Sequence, residues 1–133
     1  MATDGLVTLR SNHGPEETMN RLEAQVRGGG MEVLAHIDHA AGAARAGLLL
    51  RPTDLLVFGD PALRTPLMQA NQAIGIDLPL KVLVWLDESG VTWLAYNDPR
   101  WIARRHGLDP ELQAHVASMA VRLDALAQAA IGP

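Results

Sequence analysis

The sequence predicts one small α/β domain, and three observations predict it. Between Leu50 and Tyr96, runs that are almost wholly apolar are separated by compact polar punctuation, the pattern of short elements around one core. Leu80 to Leu86 and Val91 to Tyr96 flank Asp87-Glu88-Ser89-Gly90, which reads as a hairpin connection of the longer type. Leu112, Val116, Met119, Leu123 and Leu126 step by four and three residues, the stripe of an amphipathic helix long enough to cover a sheet.

The remaining elements follow in order. Leu6 to Leu9 is a short strand, broken by Ser11-Asn12-His13-Gly14-Pro15. Pro15 suits the first turn of a helix, where its missing N–H costs nothing, and Glu16 and Glu17 suit that turn's exposed amides. Met19, Leu22 and Val26 mark the buried face of this helix, and Gly28-Gly29-Gly30 stops it. These glycines follow a helix and precede a strand, the reverse of a phosphate loop. Met31 to Ile37 alternates: Met31, Val33, Ala35 and Ile37 are expected on one face, with Glu32, Leu34 and His36 on the other. His39 to Gly47 is rich in small residues and reads as a short helix or close-packed crossing. Leu55 to Phe58 is a buried strand. Gly59-Asp60-Pro61 opens a helix whose stripe is Leu63, Leu67, Ala70 and Ile74, with Pro66 tolerable only near the first turn or in a break. In the hairpin, Lys81, Leu83 and Trp85 line one face and Val82, Val84 and Leu86 the other. Neither face is fully polar, so one should meet helices and part of the other a partner or a pocket. Asp98-Pro99 and Asp109-Pro110 each start a helix by the same capping device, and Gly107 ends the first of them.

Size and composition bound the function. A chain of 133 residues fits one domain, and this length buries roughly two-thirds of the unfolded surface. With no cysteine, disulfides, thiolate ligands, iron–sulfur clusters and cysteine nucleophiles are excluded. The net charge is −4, Lys81 is the only lysine and the arginines are scattered, which argues against nucleic-acid binding. No signal-peptide core is seen in Met1 to Arg10 and no apolar run of membrane-spanning length occurs, so a soluble cytoplasmic protein without membrane contact is expected.

Four phrases converge on a family: DHAAGAARAGLLLRPTDLLVFGDP (Asp38 to Pro61), TPLMQ (Thr65 to Gln69), DLPLKVLVW (Asp77 to Trp85) and WLAYNDPRWIARRHGL (Trp93 to Leu108). Together they resemble the DUF302 family, over most of the chain from about Met31 onward. The resemblance implies an α+β fold of the TT1751-like kind: a curved, mostly antiparallel sheet backed by helices, in the order β-α-β(4)-α, similar to the TATA-binding protein. It also implies a homodimer, and it brings no catalytic residues with it. Two positions depart from the family pattern. Gly59-Asp60-Pro61 stands where Gly-Asn-Pro is usual, and Arg64-Thr65 where Gly-Thr is usual. If that loop approaches a ligand in relatives, Arg64 alters or fills the site.

Three functional readings emerge, and none names a cofactor. The first is a homodimeric module binding a small apolar or aromatic ligand near the end of the sheet. Trp85, Trp93 and Tyr96 would supply contact area, and Asn97, Arg64 or Thr65 would orient a polar group. The second is an enzyme built on His36, Asp38 and His39, either as metal ligands or as a base oriented by a carboxylate. The third is a structural or regulatory interaction protein whose hairpin face is filled by a second subunit. The residues also have plain roles: tryptophans as core, Asp98 as a helix cap, Asp77 as a turn residue, and His106 near a helix C-terminus.

Overall fold

The computed structural model describes residues 3–133. Five strands form one antiparallel sheet: β1 (Leu6–Arg10), β2 (Glu32–Asp38), β3 (Thr53–Gly59), β4 (Leu80–Leu86) and β5 (Thr92–Asn97), in the spatial order β1-β5-β4-β3-β2. Five helices accompany them: α1 (Pro15–Gly28), α2 (His39–Arg45), α3 (Pro61–Ala70), α4 (Pro99–Arg105) and α5 (Gln113–Ile131). The expected fold class holds, with α2 and α3 interposed between strands and α4 preceding α5.

The local signals act as read. Pro15 opens α1, and Met19, Leu22 and Val26 are buried along it. Asp60 and Asp98 each accept a backbone N–H two residues on, at 2.9 Å, and so cap α3 and α4. Asp109-Pro110 differs in one respect: it opens a single 3-10 turn (Pro110–Leu112), and the α-helix begins at Gln113. In the Leu63–Ile74 stripe, α3 ends at Ala70 and Ile74 is buried in a separate 3-10 turn (Gln72–Asp77). Pro66 sits inside α3.

Residues directly opposite on neighbouring strands share a face, so the register assigns every side chain. Val7, Leu9, Leu56, Phe58, Leu80, Val82, Val84, Leu94 and Tyr96 point into the helix layer, where α1, α4 and α5 complete one core. Along α5, Val116, Met119, Leu123 and Leu126 are buried as their spacing required. Each large side chain removed from water in this layer contributes roughly 1.5–3 kcal/mol.

The opposite face is open. The row Thr8, Ala95, Leu83, Leu55, Ile37 crosses all five strands, and beside it run Arg10, Trp93, Trp85 and Thr53. Leu55, Leu83, Trp85 and Trp93 are only partly buried, and Ile37 is 42% exposed. The helix α2 buries none of its residues.

One expectation about β2 is corrected. Val33 pairs with Phe58 but Ala35 pairs with Val57, so Leu34 is an extra, unpaired residue in a β-bulge. Past the bulge the alternation inverts. Val33 faces the helices, while Ala35 and Ile37 turn to the open face with Val57 and Leu55. His36 joins Leu56 on the helix side.

Candidate functional site

The hairpin tryptophans form a cross-strand pair. Trp85 lies directly opposite Trp93 on the open face. Asp87 organises the adjoining turn: its Oδ1 accepts the backbone N–H groups of Ser89 and Val91, and its Oδ2 accepts Trp93 Nε1–H at 2.8 Å. Gly90 supplies the left-handed conformation (φ +82°) that closes the connection. The indole N–H of Trp93, followed by the Val91 amide, holds the Asp87 carboxyl below its ordinary value.

Tyr96 has the opposite parity from Trp93 and points into the helix layer. Its hydroxyl donates to Asp124 Oδ1 on α5 at 3.3 Å. Burial foremost, then the Asp124 charge, pushes the phenol up to about 12. The sheet therefore lies between Tyr96 and the two tryptophans, and the three do not make one aromatic wall. Asn97 shares the tryptophan face but sits at the other end of β5.

Arg64 and Thr65 belong to α3, which leaves β3 at Gly59. That is the end of the sheet away from Trp85, whose partner on β3 is Thr53. The Arg64 guanidinium lies over Gly59, where a Cβ would stand 3.2 Å from its Nη1. Nη1 is buried and has no hydrogen-bond partner among the described residues. Thr65 is exposed.

The His36, Asp38 and His39 set is distributed rather than gathered. His36 Nε2 stands 3.6 Å from Asp54 Oδ1, across the β2–β3 ladder. Asp38 caps α2 through the Ala41 N–H at 2.9 Å, and His39 begins that helix. Among the described residues, no three His, Cys, Asp or Glu side chains are placed to hold a metal. The bulge is the reason His36 meets Asp54, because it turns His36 to the helix side of the sheet, where the alternation of β3 already places Asp54. They border an open cleft of about 780 Å³ with Pro15, Glu16, Glu17 and Asn20. An imidazole beside a carboxylate can relay a proton, and at 3.6 Å this pair stands just beyond direct hydrogen-bond reach.

A second polar cluster was not read from the sequence. Arg105 Nη1 contacts both Asp77 oxygens at 2.9 Å, and His106 Nε2 lies 2.5 Å from Asp77 Oδ2. Asn71 Nδ2 donates to the His106 carbonyl at 3.0 Å. These contacts clasp the Gln72–Asp77 turn to the end of α4. Asp77 and His106 are 29 positions apart, so local pattern gave no signal beyond the helix end marked by Gly107.

The chain is 50% identical over 104 residues to the fluoride-specific ion channel FluC 1 of Brucella suis, covering 78% of this chain and 41% of that protein. The match to the fluoride-specific ion channel FluC 2 of Brucella melitensis is also 50% over 104 residues and covers 38% of that protein. The chain thus spans about two-fifths of the length of these relatives. Among its described residues, no helix is long and apolar enough to cross a membrane. The crystal structure of an uncharacterized conserved DUF302 protein from Bacillus stearothermophilus superposes with a TM-score of 0.84 at 24% identity, covering 96% of this chain and 99% of that one. The two share a fold. The model of the domain of unknown function DUF302 matches residues 7–130, and the chain, with its five-stranded sheet backed by helices, belongs to that family.

Proposed function

We propose that the protein is a homodimeric interaction module in which a second copy covers the open sheet face. The observation that carries this reading is the row Thr8, Ala95, Leu83, Leu55, Ile37, apolar across four strands and bordered by the Trp85–Trp93 pair. An antiparallel sheet that faces water on one side normally alternates to polar residues there. A contiguous apolar face marks an interaction surface. The row carries no charge, and a self-complementary interface needs that at its centre, because a twofold axis sets like against like.

A small apolar or aromatic ligand stacked on Trp85 and Trp93 is the competing occupant of the same face. It would leave Leu83, Leu55 and Ile37 wet. A second chain, at roughly 800 Å² per partner for an ordinary interface, accounts for the whole row. Light scattering on the eluting protein at micromolar concentration tests this. The expected mass is twice the 14.3 kDa of the chain, and Leu83→Lys should return it to one chain. Wild-type protein at the mass of a single chain would remove the proposal.

The Brucella relatives favour a second, compatible reading. We infer that in such channel proteins a domain like this one is an accessory, regulatory part, since its described residues include no helix long and apolar enough to line a conduction path across a membrane. Fluoride efflux from vesicles carrying one of those channels, with and without the matched 104 residues, would test it. A change in flux or in its control supports the reading, and identical efflux opposes it.

A further inference from the structure

We propose that the groove between α4 and α5 is a binding site for a small organic anion with an apolar body, such as a medium-chain carboxylate. This goes beyond the dimer reading and does not rest on it, because the groove lies in the helix layer, on the far side of the sheet from the open face. The groove exists because the connection from α4 to α5 is tight. Gly107 turns at φ +59°, and the Leu108 N–H returns to the Ala103 carbonyl at 3.0 Å. The small side chains of Ala103 on α4 and Ala117 on α5 line the space between the two helices. The resulting cavity is about 360 Å³, within the range of small-molecule sites.

Its lining separates into a floor and a rim. Leu108, Leu112 and Val116 supply apolar walls. Arg100 and Arg104, one turn apart on α4, stand at the edge. Arg100 is 3.9 Å from Asp98. Arg104 has no carboxylate within salt-bridge distance among the described residues. The one acid on the rim, Asp109, is engaged in accepting the Glu111 N–H at 3.1 Å. Asp98 offsets Arg100 and Asp109 keeps its charge on the rim, so the Arg104 guanidinium is the cation left without a carboxylate partner above the apolar floor, among the described residues. That charge and shape fit a carboxylate head with a hydrocarbon or aromatic body, the head held by charge-assisted hydrogen bonds and the body by burial.

The test is an amide-resolved NMR titration of the full chain with sodium decanoate below its aggregation concentration, with decanol and decylamine as neutral and cationic controls. The proposal expects shifts at Ala103, Gly107, Leu108 and Ala117. It expects decanoate to bind about tenfold more tightly than decanol, the scale of one charge-assisted hydrogen bond. Decylamine should not bind there. Arg104→Gln, at an exposed position that leaves the fold intact, should weaken decanoate about tenfold without moving decanol. Ala117→Phe should block both by filling the floor. Shifts confined to the open sheet face, equal binding of all three probes, or decanoate affinity unchanged in Arg104→Gln would each overturn the assignment.

Discussion

Tyr96 and Trp93 are three residues apart, and that odd spacing decides what each can do. The alternation of a strand sends Trp93 to the open face and Tyr96 into the helix layer, a consequence readable from parity alone once the strand is recognised. The partner of Tyr96 was not readable, because Asp124 lies 28 positions away on α5. Tyr96 is the sole tyrosine, so absorbance near 295 nm reports it without interference. The expected phenolate transition falls at about 12 rather than the ordinary 10.0. The sign follows from the raised value. Below pH 10 both folded and unfolded chains keep the phenol neutral, and the stabilisation is fully present. Between pH 10 and about 12 only the unfolded chain ionises, and stability is lost. Tyr96→Phe should remove this alkaline loss and cost about 1 kcal/mol at neutral pH, for the hydrogen bond surrendered. Asp87 has the opposite sense. Its folded value is depressed, so its contribution is present above the ordinary carboxylate range and disappears as pH falls through the lowered value. Asp87→Asn should therefore lower the melting temperature at neutral pH and flatten the acid limb of a plot of melting temperature against pH. An acid limb as steep as that of the wild type would show that Asp87 does not carry it.

At the scale of elements, the caps and stops were legible because they act within a few residues: Pro15 at α1, Asp98-Pro99 at α4, and the hairpin turn at Asp87 to Gly90. The bulge at Leu34 was not. Met31 to Ile37 alternates cleanly in sequence, and only pairing with β3 reveals that Leu34 has no partner. That single extra residue turns His36 toward Asp54 and so redraws the candidate acid–base pair. Deleting Leu34 should leave the flanking pairs Val33–Phe58 and Ala35–Val57 in place. The expected outcome is a folded protein with wild-type-like far-UV circular dichroism. Deleting Ile37 instead should shift Asp38 onto the wrong face and destabilise the fold. The junction of α1 and α5 offers a second case. Arg21 donates to the carbonyls of Ala129, Ala130 and Gly132, and Asn12 donates to that of Ile131, so orphan carbonyls at the C-terminal end of α5 are satisfied by the first quarter of the chain. Arg21→Met keeps the stem and removes the donors. It should cost roughly 2 kcal/mol and speed amide exchange in the last turn of α5 while leaving the hairpin amides protected.

For the whole molecule, periodicity made the amphipathic helices and apolar strands of one core legible, while the antiparallel sheet backed by helices was what the family resemblance implied. The second apolar face of β4 was visible too, in Leu83 and Trp85, but its extent across β3 and β5 required the register. What covers that face is a question of mass action, and mass action gives it a signature that no single-chain contact can imitate. If folding and pairing are coupled, the melting temperature rises with protein concentration, because dilution favours the dissociated state. The expected outcome for wild-type protein is a steady rise across a hundredfold range of concentration. Leu83→Lys places a charge at the centre of the row, where the partner would bring its own. That variant should melt at one temperature regardless of concentration, and at high concentration below the wild type, because its core layer is untouched and only the pairing term is gone. Leu49→Lys is the matched control, since Leu49 is fully exposed in the α2–β3 connection and lies outside the row. Its concentration dependence should track the wild type, and a flat profile for the wild type itself would mean that the face stays bare.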